Sequence, residues 1–212
     1  MLRKLKITSW TGPWGSKRKP SAPAPALDEL FDGSDELFKS IVPRCRVYGE
    51  YGCGASTRWV LGNTTAKVLA VDTSKDWIET IDPDHKYSER FDAHWVDVGD
   101  LGKWGRPLSY DNRDGFQDYT DWMWRQAQKP DLVLVDGRFR VCCFLTALKY
   151  ADEGTEILFD DYGSRRFYHI VEEFVRPSDA CGRQRLFIVP RKSAIDQDEL
   201  DANIRAFRYV FD

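Results

Sequence analysis

The sequence predicts an α/β fold in which a doubly wound, mostly parallel sheet carries helices on both faces. Strand-like and helix-like segments alternate between residues 46 and 207. Residues 132–135 form a continuous apolar run, which is typical of a strand buried on both faces of a parallel sheet. After the first strand-like segment, a glycine turn leads directly into a helix start. These three observations together indicate strand–helix–strand units.

The individual elements follow in order along the chain. A short helix is expected at residues 35–40. Strands are expected at 46–48, 68–71, 91–97, 132–135, 156–159 and 186–189. Helices are expected to begin at Arg58 and to cover 75–81, 116–128, 141–150, 168–175 and 199–207. The buried face of the 116–128 helix should comprise Tyr119, Trp122, Met123 and Ala127. The last strand should pair with residues 178–181 across Gly182, which makes one sheet edge antiparallel.

Length and charge divide the chain into a short arm and one domain. With 212 residues and 42% hydrophobic content, the chain is long enough for a single α/β domain, expected at residues 27–212. Residues 1–26 are rich in proline and carry six Lys or Arg residues and no acid, so they are expected to form an arm. Trp10 and Trp14 could pack on the domain or on a second subunit of a homo-oligomer, or be incidental aromatics. Both interpretations stay open.

Composition excludes several classes of protein. Five cysteines without a CxxC spacing, and three scattered histidines, argue against a disulfide framework and a zinc cluster, and favour a cytoplasmic location. No apolar run approaches the roughly 20 residues that span a bilayer, so no membrane association is expected. Residues 27–212 hold 25 basic and 34 acidic side chains, a balance of −9. This charge argues against a nucleic-acid partner.

The glycine turn after the first strand has the features of a nucleoside site. Gly52 and Gly54 allow a sharp turn that a ligand can approach closely. Ser56 and Thr57 can cap the following helix, whose free N–H groups suit an anionic group. Asp72 ends the second strand 20 residues after Gly52, the usual distance for a carboxylate that binds ribose hydroxyls.

The string Glu50-x-Gly52-x-Gly54-x-Ser56 resembles the first motif of class I S-adenosylmethionine-dependent methyltransferases, which often have a third glycine where Ser56 stands. The resemblance implies their Rossmann-like fold and an S-adenosylmethionine cofactor. In that family the acid and the turn hold the methionine end, and the acid after the second strand holds the ribose. A dinucleotide fingerprint would instead require glycine at position 57, where this chain has Thr57. Candidate cofactor-binding residues are Glu50, Gly52, Gly54, Ser56, Thr57, Asp72, Asp97 and Asp136.

Further acids end the later strands. Asp97 follows the third strand, where the resemblance implies an adenine contact; a simple turn before Gly99 is the alternative. Asp136 and the Asp160-Asp161 pair resemble the metal-binding acids of cation-dependent small-molecule O-methyltransferases, and imply a Mg²⁺ site. That family's usual lysine base is missing, and Arg138 and Arg140 stand in its neighbourhood. Because successive strand residues alternate in direction, only one of Asp160 and Asp161 is expected to face the site.

Arginine and aromatic side chains follow the fourth and fifth strands, where an acceptor should bind. Arg138, Arg140, Arg165 and Arg166 would suit an anionic or sugar-like small molecule, or would simply balance the acids. Asp136 and His169 are the candidate catalytic residues, although a helix histidine among aromatic residues is more often structural. The sequence therefore predicts methyl transfer to an oxygen of a small acceptor. A non-catalytic binding module and a nicotinamide-dependent oxidoreductase are the alternatives.

Overall fold

The computed structural model describes residues 30–211, so the predicted arm lies outside the described residues. Seven strands form one sheet in the order β3-β2-β1-β4-β5-β7-β6. The strands are β1 Val47–Tyr51, β2 Lys67–Asp72, β3 Phe91–Trp95, β4 Leu132–Val135, β5 Glu156–Phe159, β6 Asp179–Cys181 and β7 Gln184–Ile188. The doubly wound, mostly parallel sheet is thereby confirmed. No helix within residues 30–211 is long and apolar enough to cross a membrane.

The parallel register brings the ends of the central strands together. Tyr51 at the end of β1 lies opposite Val71 of β2 and Val135 of β4. The residues that follow these positions, Asp72 and Asp136 among them, therefore meet at one edge of the sheet. At the other end of the order, β7 pairs antiparallel with both β5 and β6, as the sequence predicts.

Helices cover both faces of the sheet, and each face has its own hydrophobic core. The helices are α1 Glu36–Ile41, α2 Ala55–Asn63, α3 Lys75–Ile81, α4 Phe116–Asp121, α5 Arg140–Tyr150 and α6 Gln197–Phe207. In β4, Val133 and Val135 join the core beneath α4, α5 and α6, while Leu132 and Leu134 join the core beneath α1 and α2. This alternation explains why β4 is apolar throughout.

Several predicted elements differ from those of the structure in their bounds or type, and β1 extends to Tyr51 rather than ending at residue 48. The 116–128 helix stops at Asp121 and continues as a 3-10 turn, Trp122–Arg125, so Ala127 is exposed and its predicted burial is wrong. This turn places Met123 in the core and lets Trp124 Nε1 donate to Tyr51 Oη at 2.9 Å. β3 ends at Trp95, two residues before the prediction, and the helix after β5 is a 3-10 helix, Arg166–Glu173.

Candidate functional site

A cavity of about 940 Å³ opens at the carboxyl ends of β1, β2 and β4. Its wall includes the glycine turn after β1, Asp72 at the end of β2, and residues 136–138 after β4. Asp161, after β5, also lines it. Sites for small molecules occupy roughly 300–1,000 Å³, and in an open α/β sheet they lie at this edge. The cavity is therefore the candidate functional site.

Gly52 and Gly137 allow two loops to meet in backbone contact at the cavity. Gly52 has a φ of +97°, and a Cβ there would lie 2.8 Å from the Cα of Gly137. A Cβ on Gly137 would lie 2.8 Å from the Gly52 nitrogen and would collide with the Tyr119 hydroxyl. The packing of the protein itself thus requires both glycines.

Gly54 differs from these two glycines, because the described part of the chain does not require a glycine there. Its φ of −177° is extended backbone that any residue adopts. Among residues 30–211, no atom lies within 4 Å of the position that its Cβ would occupy. Gly54 lines the cavity. The missing side chain therefore leaves backbone accessible to a molecule bound in the cavity.

Glu50, Ser56 and Thr57 form a buried network that joins β1 to the start of α2. Glu50 is 1% exposed and accepts hydrogen bonds from Ser56 Oγ and, at 2.6 Å, from Thr57 Oγ1. The Gly54 N–H donates to Thr57 Oγ1 at 2.9 Å. Burial raises the pKa of Glu50 to about 8, against the opposing effect of the two hydroxyls. Ser56 lines the cavity, but Glu50 and Thr57 do not, so these two side chains support the turn from its protein side.

The two remaining candidate nucleoside acids have different surroundings. Asp72 lines the cavity, and its carboxylate accepts from the N–H groups of Cys53 and Ser74, both at 2.7 Å. Burial raises the pKa of Asp72, and these N–H groups oppose that shift. Asp97 is exposed, does not line the cavity and accepts from the Gly99 N–H at 2.9 Å. Asp97 therefore has the geometry of an acid in a simple turn before Gly99, not that of a residue that contacts adenine in the cavity.

Asp136, Asp160 and Asp161 come together at the ends of β4 and β5. One carboxylate oxygen of each lies within 4.8 Å of the others. Asp136 and Asp161 line the cavity, whereas Asp160 is fully buried. Of the two adjacent acids, one therefore faces the cavity, although both lie in the turn after β5 and not in the strand itself. Burial raises the pKa of Asp136, although the Arg140 guanidinium opposes the shift.

Arg140 is the central cation of this cluster. Its side chain is almost fully enclosed, and its guanidinium lies 3.0 Å from Asp136 Oδ1 and 3.2 Å from Asp161 Oδ2. The same guanidinium donates to three backbone carbonyl oxygens, those of Asp136, Gly137 and Asp160, at 2.8 to 3.0 Å. Arg140 therefore joins the ends of β4 and β5.

Two more arginines complete the charge balance. Arg183 binds the buried Asp160 through Nε at 3.0 Å and Nη2 at 2.7 Å. Arg165 Nη2 lies 2.8 Å from Asp161 Oδ2. Sequence reasoning missed Arg183, because this residue stands in the turn between β6 and β7 and reaches the acids only through the antiparallel edge of the folded sheet.

The three carboxylates do not fit a divalent cation. Mg²⁺ is held by carboxylate oxygens that face the ion and by retained waters. Here a guanidinium contacts each carboxylate, and that of Arg140 lies between Asp136 and Asp161. A second cation at this position would meet a fixed positive charge at close range. The cluster predicted to bind metal is instead a network of ion pairs.

The structure does not support a catalytic role for His169. Its side chain is exposed and does not line the cavity. The imidazole stacks on the Tyr162 ring with centroids 4.7 Å apart, and Nε2 lies 3.3 Å from the Tyr162 carbonyl oxygen. His169 lies in the 3-10 helix Arg166–Glu173, and its imidazole faces Tyr162.

Strained backbone is concentrated around the cavity. Residues 30–211 contain six non-glycine residues with positive φ, and four of them line the cavity. The four are Phe31, Asp32, Trp104 and Asp161. Such conformations cost of order 1–3 kcal/mol each and cluster at functional sites. Their distribution supports the assignment of the cavity as the functional site.

The strand order, the glycine turn and the cavity at the strand ends together define a protein of the class I methyltransferase type. No protein-family model matches the chain, and no curated protein matches it. Among solved structures, the chain is 30% identical to a methyltransferase-like protein from Silicibacter pomeroyi, with a TM-score of 0.72 over 90% of this chain and 98% of that one. The chain belongs to the class I S-adenosylmethionine-dependent methyltransferase family.

More distant likenesses extend to other methyltransferases. The N-methyltransferase NodS from Bradyrhizobium japonicum, solved with S-adenosyl-L-homocysteine, is 14% identical, with a TM-score of 0.49 over 77% of this chain and 90% of that one. An RNA methyltransferase from Salinibacter ruber, also solved with S-adenosyl-L-homocysteine, is 13% identical, with a TM-score of 0.48 over 80% of this chain and 95% of that one. Similarity at this level leaves the acceptor open.

Proposed function

We propose that this protein binds S-adenosylmethionine in the cavity and transfers its methyl group to an oxygen of a small molecule. The observation that carries the proposal is the open space at Gly54 in the cavity wall, since a bound ligand explains a glycine that faces the cavity and that neither backbone strain nor packing requires. Class I family membership identifies S-adenosylmethionine as the ligand to test there.

The cofactor would use groups that line one side of the cavity. Its methionine part would lie against the turn at Gly52 and Gly54, where Ser56 also reaches the cavity. Its ribose hydroxyls would donate to Asp72. Each oxygen of Asp72 accepts one backbone N–H, and a carboxylate oxygen can accept a further hydrogen bond. Glu50 would act indirectly, by holding Ser56 and Thr57.

The acceptor would lie on the other side, near Asp136. This carboxylate lines the cavity, and burial raises its pKa, which makes it a better proton acceptor at neutral pH than an ordinary aspartate. Arg138 and Arg165 also line the cavity and would suit an anionic or sugar-like acceptor. These features support oxygen as the methyl acceptor and Asp136 as the residue that takes the hydroxyl proton.

The reaction would be an in-line displacement. The acceptor oxygen forms a bond to the methyl carbon while the bond from that carbon to the sulfonium breaks, and S-adenosylhomocysteine leaves. Catalysis would come mainly from holding the oxygen and the methyl carbon at near-attack distance. No step uses a metal ion, because the carboxylate cluster does not fit one.

Calorimetric titration with S-adenosylmethionine tests the proposal, with NADH as the control ligand. Gly54→Val should abolish cofactor binding while the protein stays folded, because the new side chain enters open space. The matched control is Gly62→Ala in α2, an exposed glycine whose Cβ position is equally open and which does not line the cavity. This control should bind like the wild type.

The outcomes separate the alternatives. Binding of NADH instead of S-adenosylmethionine would favour the oxidoreductase. Binding of S-adenosylmethionine without turnover across hydroxyl and amine acceptors would favour a non-catalytic module. Methylation of amines alone would contradict the choice of oxygen. Unchanged cofactor binding by Gly54→Val would remove the observation on which the proposal depends.

A further inference from the structure

Trp104 is an exposed aromatic residue held in a strained conformation at the cavity wall. Its side chain lines the cavity, and the residue is 68% exposed. Its φ of +62° and ψ of +32° lie in the left-handed region, which bulky residues rarely adopt. Exposure and strain both cost free energy in the unliganded protein. A bound molecule that covers the ring would offset part of this cost.

The segment that carries Trp104 is a narrow hairpin-like loop. The Gly102 N–H donates to the Arg106 carbonyl at 2.7 Å, and the Leu108 N–H donates to the Asp100 carbonyl at 2.9 Å. Lys103–Gly105 form the 3-10 turn at the tip of this loop. Because the flanking backbone is paired, the position of the tip is set by the loop rather than by the indole itself.

The tip of the loop is attached beside the predicted ribose acid. Thr73 Oγ1 donates to the Gly105 carbonyl at 2.8 Å. A Cβ on Gly105 would lie 4.0 Å from Asp72 Oδ1, so the residue next to Trp104 is almost in contact with this carboxylate. The part of a nucleoside that adjoins its ribose is the base. A ribose bound by Asp72 would therefore lie beside the loop tip that carries Trp104.

A second attachment fixes the outer part of the loop. Arg106 Nε donates to the Phe211 carbonyl at 3.2 Å, and the Phe211 ring lies 4.8 Å from the Tyr110 ring between centroids. Phe211 also contacts Phe139, two residues after Gly137, with centroids 6.2 Å apart. The loop is thus joined through Phe211 to the turn between β4 and α5, which favours a preformed platform.

We propose that Trp104 is a ligand-binding residue whose indole stacks on the adenine ring of S-adenosylmethionine. The inference rests on the proposed function, because it takes adenine as the base. It assigns the adenine to a residue other than Asp97, which does not line the cavity. Aromatic stacking needs only the flat face of the base and tolerates an exposed site.

Titration of S-adenosylhomocysteine and of adenosine into three variants tests this inference. Trp104→Asn removes the ring but places at this position a residue that tolerates positive φ. This variant should bind both ligands about 10- to 100-fold more weakly, the range expected for stacking on one base. Trp104→Phe keeps a ring and should restore most of the affinity. Leu108→Ala is the matched control, since Leu108 is 66% exposed in the same loop but does not line the cavity.

Circular dichroism and thermal melting of each variant report whether the fold is retained. If the wild type binds neither ligand, the proposed function fails, and the inference fails with it. If the wild type binds both ligands and Trp104→Asn binds them equally well, the inference alone is wrong. If Trp104→Asn and Leu108→Ala lower the affinity for both ligands equally, the loop is disturbed as a whole. That result would also overturn the stacking role of Trp104.

Discussion

Replacement of Glu50 by glutamine should make the protein more stable at alkaline pH. The carboxyl is buried, and burial raises its pKa from 4.5 to about 8. Because the folded state binds this proton more tightly than the unfolded state, the contribution of Glu50 to stability is complete below about pH 4.5. It is lost as the pH rises through about 8. Glutamine keeps the shape of the side chain and carries no proton that titrates.

The size of the stability difference follows from the shift in the pKa of Glu50. A rise in the pKa of Glu50 from 4.5 to about 8 corresponds to a change of at most about 5 kcal/mol in the free energy of unfolding, at 1.36 kcal/mol for each pKa unit. The gain in the free energy of unfolding of Glu50→Gln over the wild type should therefore be small at pH 5 and should grow by up to about 1.4 kcal/mol per pH unit until pH 8. The amide can still donate to Ser56 Oγ and accept from Thr57 Oγ1.

Urea denaturation at pH values from 5 to 9 measures this difference. Glu79→Gln is the matched control, since Glu79 is an exposed residue of α3, and this variant should follow the wild-type curve. The reasoning is refuted if Glu50→Gln is less stable than the wild type at pH 8 to 9, or if the difference between the two proteins does not change with pH. Either result would mean that the two hydroxyl groups stabilise the ionised carboxylate enough to cancel its burial.

Two further predictions concern packing and charge at the cavity. Gly137→Ala should lower the free energy of unfolding by about 2–4 kcal/mol, because the new Cβ would collide with the Tyr119 hydroxyl and lie 2.8 Å from the Gly52 nitrogen. Urea denaturation measures this loss of stability. A loss below about 0.5 kcal/mol would contradict the packing argument. Calorimetry with Mn²⁺ should detect no binding to the wild type, and EDTA should leave cofactor affinity unchanged, because Arg140 already pairs with Asp136. Mn²⁺ binding that disappears in Asp136→Asn would show that the cluster accepts a metal after all.

The sequence alone was sufficient to predict the sheet and the edge of the sheet at which the site forms. Apolar runs such as 132–135 report burial on both faces, and parallel strands bring the residues after them to one edge whatever the details of packing. For this reason Asp72, Asp136 and Asp161, which end or follow parallel strands, lie at the same edge as the glycine turn. These are properties of local pattern and of strand direction.

The tertiary structure decided what each of these side chains contacts. Asp160 is paired with Arg183, which is brought to it by the antiparallel edge, and the carboxylate cluster is neutralised by arginines rather than arranged for a metal. Gly52 and Gly54 look alike in sequence, yet one packs on Gly137 and the other faces open space. The physical reason is that periodicity records burial and direction along one segment. Ion pairs and cavities depend on segments that only the complete fold brings within a few ångströms of each other.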